Sequence, residues 1–234
     1  MPFDTDAPDG ETYGARIAAS KLPAGELDDL KKEPPTPGEP LFDGESLAGW
    51  VGATDSYEVR DGVIASLPGH GGNLFTKDEY DDFILRLQFR LTPGANNGIG
   101  IRAPLEGDAA YEGIELQVLD NKAEKYADLQ PYQFHGSAYG VAPAKQGALK
   151  PNGQWNKQEV RCQGRQITVV LNGKTILDVN LDEAAPAGKT VDGHDHPGLQ
   201  RNSGHIGFLG HGDVVEYRNI TIEPLAKGAE VQGK

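Results

Sequence analysis

The nine residues "FILRLQFRL" at positions 83–91 alternate without a break. Phe83, Leu85, Leu87, Phe89 and Leu91 fall on one face, and Arg86, Gln88 and Arg90 face outward on the other. Successive side chains of a strand point to opposite faces, so this is a β-strand with one buried and one polar side. Strand-like runs recur at 57–59, 63–66, 99–102, 113–119, 158–162, 167–171, 175–179, 205–209 and 214–223. Gly, Asn, Asp and Pro separate them. Asn172-Gly173, between two such runs, is the pair that a type I′ hairpin turn favours. The 31 glycines among 234 residues are spread between the runs rather than gathered in a repeat, so they read as turns. Short strands at regular spacing, with no helix of length, predict an all-β fold, an antiparallel β-sandwich of jelly-roll type.

The bulk composition excludes several classes of partner. Lys and Arg total 22 against 35 Asp and Glu, a net charge of −13. Such a surface has no excess of cations to neutralise phosphates, which argues against nucleic acid or an anionic membrane as the main partner. No apolar run approaches the ~18 residues that a spanning helix needs. The first twenty residues lack the basic and apolar regions of a signal peptide, so none is expected in this chain. The single cysteine, Cys162, excludes an internal disulfide and, alternating with Val160, reads as a core residue. Residues 1–40 read as a Pro-rich acidic extension with one short helix in "KLPAGELDDLKK". Its last part, "KKEPPTPGEP", is too proline-rich to join a sheet. Residues 41–226 form the sandwich and 227–234 a tail.

Three strands share an unusual outer face. In "YEGIELQVLDN" (111–121), Ile114, Leu116 and Val118 point one way, and Gly113, Glu115 and Gln117 the other. "NNGIGIR" opposes Ile99 and Ile101 to Gly98, Gly100 and Arg102. "GHIGFLGHG" opposes Ile206 and Phe208 to His205, Gly207, Leu209 and His211. Glycine weakens a strand and often marks close approach of a ligand. Three strands that mix glycines with ionisable groups therefore predict a concave floor on which a small carbohydrate lies. The bland alternative is that the glycines relieve curvature and the charges are solvated. Asp120 falls on the core face in regular alternation; only a one-residue bulge after Gln117 brings it beside Glu115. With that bulge, Glu115-x-Gln117-x-x-Asp120 resembles the E-x-D-x-x-E signature of family 16 glycoside hydrolases, with Gln for the middle Asp and Asp for the final Glu. Two carboxyl groups flanking one bond are the apparatus of a conventional glycosidase.

A longer ordered set of pieces resembles the 3-keto-disaccharide hydrolase domain family of the concanavalin A-like superfamily. These are "LFDGESLAGW" (41–50), "DGVIAS" (61–66), "NLFTKDEYDDFILRLQFR" (73–90), "NNGIGIR" (96–102) and "YEGIELQVLDN". "GSAYG" (136–140), "GQWNKQEVRCQGRQITVVLNG" (153–173), "HPGLQRNSGHIGFLGHG" (196–212) and "VEYRNITIEPL" (215–225) follow in order. The family reads Asn-Ser-Gly where this chain has Asn96-Asn97-Gly98, and Leu-Gln where it has Phe208-Leu209. Members are often secreted or periplasmic.

The resemblance implies cleavage of a sugar already oxidised to a ketone at C3. The ketone acidifies the hydrogen at C2, a base removes it, the C1 substituent leaves, and water then adds. This route needs a base, an acid and a group to hold the ketone oxygen. Glu115 or His211 is the expected base, and Asp120 or the other of that pair the acid. Arg102 and Gln117 hold the ketone or hydroxyls, with Asn97, Tyr139 and His205 also expected to contact substrate. His135 borders the cleft beside Tyr139. No cofactor is firmly predicted; His194, Asp195 and His196 form a candidate site for a divalent ion, which would stabilise an enolate. Trp50 and Trp155 are expected to pack rather than to stack on sugar. Asn219 fits a glycosylation sequon. A lectin-like module and a conventional glycosidase using Glu115 and Asp120 stand as alternatives.

Overall fold

The alternating runs form two antiparallel sheets in a computed structural model, which describes residues 36–226. The short helix expected within 21–32 lies outside the described residues. The strands are β1 (Glu39–Pro40), β2 (Trp50–Gly52), β3 (Tyr57–Arg60), β4 (Val63–Ser66), β5 (Gly71–Tyr80), β6 (Phe83–Leu91) and β7 (Asn96–Ala103). They continue with β8 (Ile114–Leu119), β9 (Asn156–Gln163), β10 (Gln166–Leu171), β11 (Lys174–Asn180), β12 (Gly204–His211) and β13 (Val215–Pro224). Two single-turn helices, α1 (Ala109–Glu112) and α2 (Leu181–Ala184), sit in connections. One sheet runs β11-β10-β9-β6-β13-β4-β3, with β1 on β13; the other runs β2-β5-β12-β7-β8.

All ten expected strands are present, and their apolar faces meet between the sheets. Phe83, Leu85, Phe89, Val160 and Val169 from one sheet pack against Ile99, Leu116, Val118 and Ile206 from the other. Aromatic rings bridge the layers: Phe208 stacks on Tyr217 at 3.7 Å between centroids, and Trp50 stacks on Phe208 at 5.3 Å. The Tyr217 hydroxyl donates to Asn97 Oδ1 at 2.8 Å. Asn97 is therefore fully buried in the core and does not face the outer surface where a substrate would touch it. Asn172 and Gly173 take φ of 51° and 80° in the β10–β11 turn, the left-handed pair that a type I′ turn requires. Cys162 is buried, and burial pushes its thiol up to about 11.

Several local readings change. Strand β5 escapes alternation because its pairing with β12 shifts register between Phe75 and Glu79, so no single face runs its length. Glu39–Pro40, in the stretch read as unable to join a sheet, pairs with Thr221 and Ile222. Proline is tolerated there because β1 lies at a sheet edge. The outward faces of Gln88 and Arg90 are buried rather than solvated. Arg90 pairs with the buried Glu216, which Arg60 also reaches at 2.7 Å. Trp155 packs here as well, beneath the guanidinium of Arg218 at 3.9 Å and that of Arg90 at 4.9 Å.

The largest departure is Arg102. Gly100 pairs with Gly207 but Ala103 pairs with His205, so β7 carries one extra residue, and Arg102 adopts φ 50° within that bulge. The bulge turns its side chain into the protein, where it is 1% exposed. It donates to Asp82 at 3.3 Å and to the carbonyls of Asp81 and Arg201 at 3.2 and 3.3 Å. Removing one member of a buried ion pair strands the other. Arg102→Met is accordingly expected to lower the unfolding free energy by about 3 kcal/mol in a denaturant titration. A loss under ~1 kcal/mol, the scale of exposed pairs, would contradict this structural assignment.

Candidate active site

The site is built on β8. Its pairing with β7 is regular from Ile114 to Leu119, so Glu115, Gln117 and Leu119 share the outer, concave face. Beyond β8, residues 136–139 add a short pairing of their own. Gln117 N donates to Ser137 O at 3.0 Å, and Tyr139 N to Glu115 O at 2.9 Å. Tyr139 thereby stands directly across from Glu115 on the same face.

On the opposite flank, Gly98 lets the Glu115 side chain lie down across β7. A Cβ at position 98 would sit 2.1 Å from Glu115 Oε1 and 2.8 Å from its Cγ. Glycine is needed here for close approach, but what approaches is the protein's own Glu115 side chain and not the ligand that a strand-face glycine led one to expect. The carboxylate ends 3.9 Å from Nε2 of His211, the last residue of β12. Glu115 is 4% exposed, and its Oε1 is buried without a hydrogen bond. The adjacent carboxylate raises the His211 pKa above 6.5, against the opposing effect of partial burial. The imidazole remains half exposed.

These groups open into a cleft of about 250 Å³. Its lining includes Glu115, Gln117, Tyr139 and His211 from the expected set. Gln117 Nε2 donates to Asn96 Oδ1 at 2.7 Å, which fixes its amide in the floor. Among the residues that sequence reading missed are Tyr111, Tyr126, Gln133 and Asn96. Tyr111 meets Tyr139 edge-on at 6.4 Å, and Tyr132 meets it at 6.0 Å. A signal was present: four of the chain's eight tyrosines, Tyr111, Tyr126, Tyr132 and Tyr139, fall between positions 111 and 139.

Other glycines of the floor serve the protein itself. A Cβ on Gly100 would meet Leu209 at 3.1 Å, and one on Gly207 would meet Phe75 at 2.3 Å. Phe75, Leu209, Ala103 and Ala109 form a small apolar cluster over this half of the concave face. The cleft is thus confined to the β8 side. Gly113 lies just before β8, capping α1 against Ala103.

The remaining expected residues stand elsewhere. No bulge follows Gln117, so Asp120 keeps to the face opposite Glu115. Its carboxylate accepts from Gly94 N at 2.9 Å, Asn152 Nδ2 at 2.7 Å and Lys122 N at 3.1 Å. It borders a separate groove with Phe134, Gln146 and Lys150. Arg102 and Asn97 are interior, as described above. His205 Nδ1 donates to Thr76 O at 2.8 Å, away from the cleft lining. His135 is interior too, bonded to Gln158 at 3.1 Å, and burial pulls its pKa down to about 4. His196 is buried with Nε2 3.0 Å from Asp192 and its ring 4.6 Å from Tyr111, while His194 and Asp195 are exposed. Among the described residues, no group of three His, Cys, Asp or Glu side chains is placed to hold a metal ion. No helix among them is long and apolar enough to cross a membrane.

Known proteins share this architecture. A 3-keto-disaccharide hydrolase from Bacteroides thetaiotaomicron is 26% identical, over 88% of this chain and 85% of the relative. A crystal structure from Parabacteroides distasonis, of a protein provisionally assigned as a glycosyl hydrolase, is 30% identical. It superposes with a TM-score of 0.72 over 81% of this chain and all of that one. A Bacillus subtilis protein of unknown function with a galectin-like fold is 12% identical, with a TM-score of 0.52 over 82% of this chain and 96% of its own; it supports the jelly-roll fold alone. With a family model matched from residue 37 to residue 223, the chain belongs to the 3-keto-alpha-glucoside-1,2-lyase-like domain family.

Proposed function

We propose that the protein is a hydrolase of 3-keto glycosides, 3-keto disaccharides among them, acting by proton abstraction at C2, elimination and hydration. Family membership supports the substrate class. The observation that carries the chemistry is the Glu115–His211 pair: an imidazole facing a cleft, with a buried carboxylate 3.9 Å behind it. In this reading neutral His211 takes the C2 proton, and Glu115 orients the ring and stabilises the imidazolium that forms. The carbon acid is weak, so the charge passing to the C3 oxygen needs a hydrogen-bond donor. Gln117 has one amide hydrogen committed to Asn96 and a second available for that oxygen. The tyrosine wall offers rings on which a sugar face rests. The cleft volume of about 250 Å³ suits one sugar ring with its leaving group toward solvent.

Matched disaccharides with and without the 3-keto group test the assignment. Turnover of the ketone alone is expected. Turnover of the unoxidised sugar would favour a conventional glycosidase, and binding without turnover a lectin-like module.

The pH profile tests the roles. A histidine base works deprotonated, so the rate should rise with pH through the His211 pKa, which lies above 6.5. Glu115→Gln removes the charge that raises it, so the rise should move to lower pH while the plateau falls by about 10²-fold. A rate that instead declines across the same interval would assign the working form to the imidazolium.

Gly98→Ala tests the geometry while leaving both groups chemically intact. The new methyl displaces the Glu115 carboxylate, and misplacement on this scale costs about 10²-fold in rate. Glu115 is buried and its Cγ as well as its carboxylate must shift, so the thermal midpoint should fall by about 2–4 °C with the protein still folded. Unchanged turnover would remove Glu115 from the mechanism.

A further inference from the structure

Elimination at C1 needs an acid for the departing oxygen, and Asp120, the carboxyl group expected for that task, stands outside the cleft. The proton donors that do line it are few. Tyr126 donates its hydroxyl to Gly94 O at 3.1 Å, so that proton is committed. Asp108 accepts from Ala110 N at 3.0 Å as the cap of α1, which engages its carboxyl group in holding the helix start. Tyr111 has its pKa raised, chiefly by desolvation, which makes it a poorer acid than an ordinary phenol.

Tyr139 differs from these. Gln133 Oε1 accepts from Gln130 N at 3.0 Å, which fixes the orientation of that amide. The Gln133 Nε2 hydrogen therefore points at Tyr139 Oη, 3.3 Å away. The hydroxyl oxygen is the acceptor in that contact, so its own hydrogen is available for a third atom. The same donor would stabilise the phenolate left after proton transfer. Backbone pairing puts Tyr139 across from Glu115, and Tyr111 and Tyr132 hold its ring edge-on. The cleft thus has its proton acceptor, His211, on the β12 side of Glu115 and a proton donor, Tyr139, on the other side.

We propose that Tyr139 is the general acid that protonates the leaving glycosidic oxygen. The inference rests on the 3-keto glycoside reading. His211 takes the C2 proton, and the electron pair of the C–H bond passes into the enolate at C2, C3 and its oxygen. As the C3 carbonyl reforms, a C1–C2 double bond forms and the C1–O bond breaks, and the departing oxygen takes the Tyr139 proton. Water then adds across the enone: the tyrosinate removes a proton from the water that attacks C1, and the imidazolium returns a proton to C2. Both side chains end as they began, and the net reaction is hydrolysis.

An acid is needed when the leaving alcohol is a weak acid and dispensable when it is a strong one. Tyr139→Phe should be compared with wild type on 3-keto glucosides bearing methyl and 4-nitrophenyl groups. The variant should lose about 10²-fold or more on the methyl glycoside, the usual scale of general acid catalysis, and only a few-fold on the nitrophenyl one. Equal losses on both, or loss on neither, would overturn the assignment. Gln133→Leu keeps the hydroxyl and removes its donor, so it should show a smaller loss with the same preference; it also keeps the test open if Tyr139→Phe disturbs folding. A uniform loss in that variant would count against the acid role. Wild-type turnover of both ketones is the control: if wild type cleaves neither, the 3-keto reading itself fails and the acid role with it.

Discussion

The buried contact between Tyr217 and Asn97 is the point on which sheet, core and cleft all depend. Tyr217 lies on one sheet and Asn97 on the other, and the hydroxyl crosses the apolar layer to reach the amide oxygen. That oxygen also accepts from Gly98 N at 3.0 Å. Gly98, which gives Glu115 its space, is thereby held by its neighbour Asn97, whose amide is in turn held by Tyr217 of the opposite layer. The Trp50–Phe208–Tyr217 ring stack fills the space around this link and excludes water from it. A polar bond in such surroundings is stronger than at the surface, and leaving it half-made is costly. Cleft geometry is therefore set by core packing as well as by the strands that display the side chains.

Most of the architecture was legible because alternation is a direct consequence of strand geometry. Strand β6 and its apolar face can be read from nine residues, and the β10–β11 turn from two. What alternation cannot show is a break in itself. Arg102 illustrates the limit: one inserted residue reverses the facing of a side chain, and no local composition marks the insertion. The converse error attaches to Asp120, where an expected bulge is absent and strict alternation holds. Outer faces mislead for a different reason. Gln88 and Arg90 are polar yet buried: Arg218 donates to Gln88, and an ion pair with Glu216 and the face of Trp155 cover Arg90.

The candidate cleft was partly legible for the same reason. Glu115 and Gln117 of β8 and His211 of β12 come together on the face that alternation assigned them, whereas the space at Gly98 is taken by Glu115 and not by a ligand. Tyr111 and Gln133 could not be placed, because a single helical turn is too short to show a periodicity. The floor also proves less uniform than its glycines suggest. Gly100 and Gly207 accommodate Leu209 and Phe75, so half of the concave surface is sealed by the protein's own side chains. A short cleft at one edge of the sheet results, in place of the long trough that a polysaccharide would need.

The position of Tyr139 has a consequence for how this scaffold can diversify. Glu115 and His211 belong to strands whose register is locked by the core, whereas Tyr139 rides on a segment annexed to the exposed side of β8. Loops tolerate insertion and exchange far better than paired strands. The Tyr139 side of the cleft, proposed to receive the departing group, can thus be rebuilt by loop replacement alone, while Glu115 and His211 stay fixed. On the proposed mechanism, descendants of one ancestral sheet can in this way inherit a single proton-abstraction device and part company over which alcohols they release.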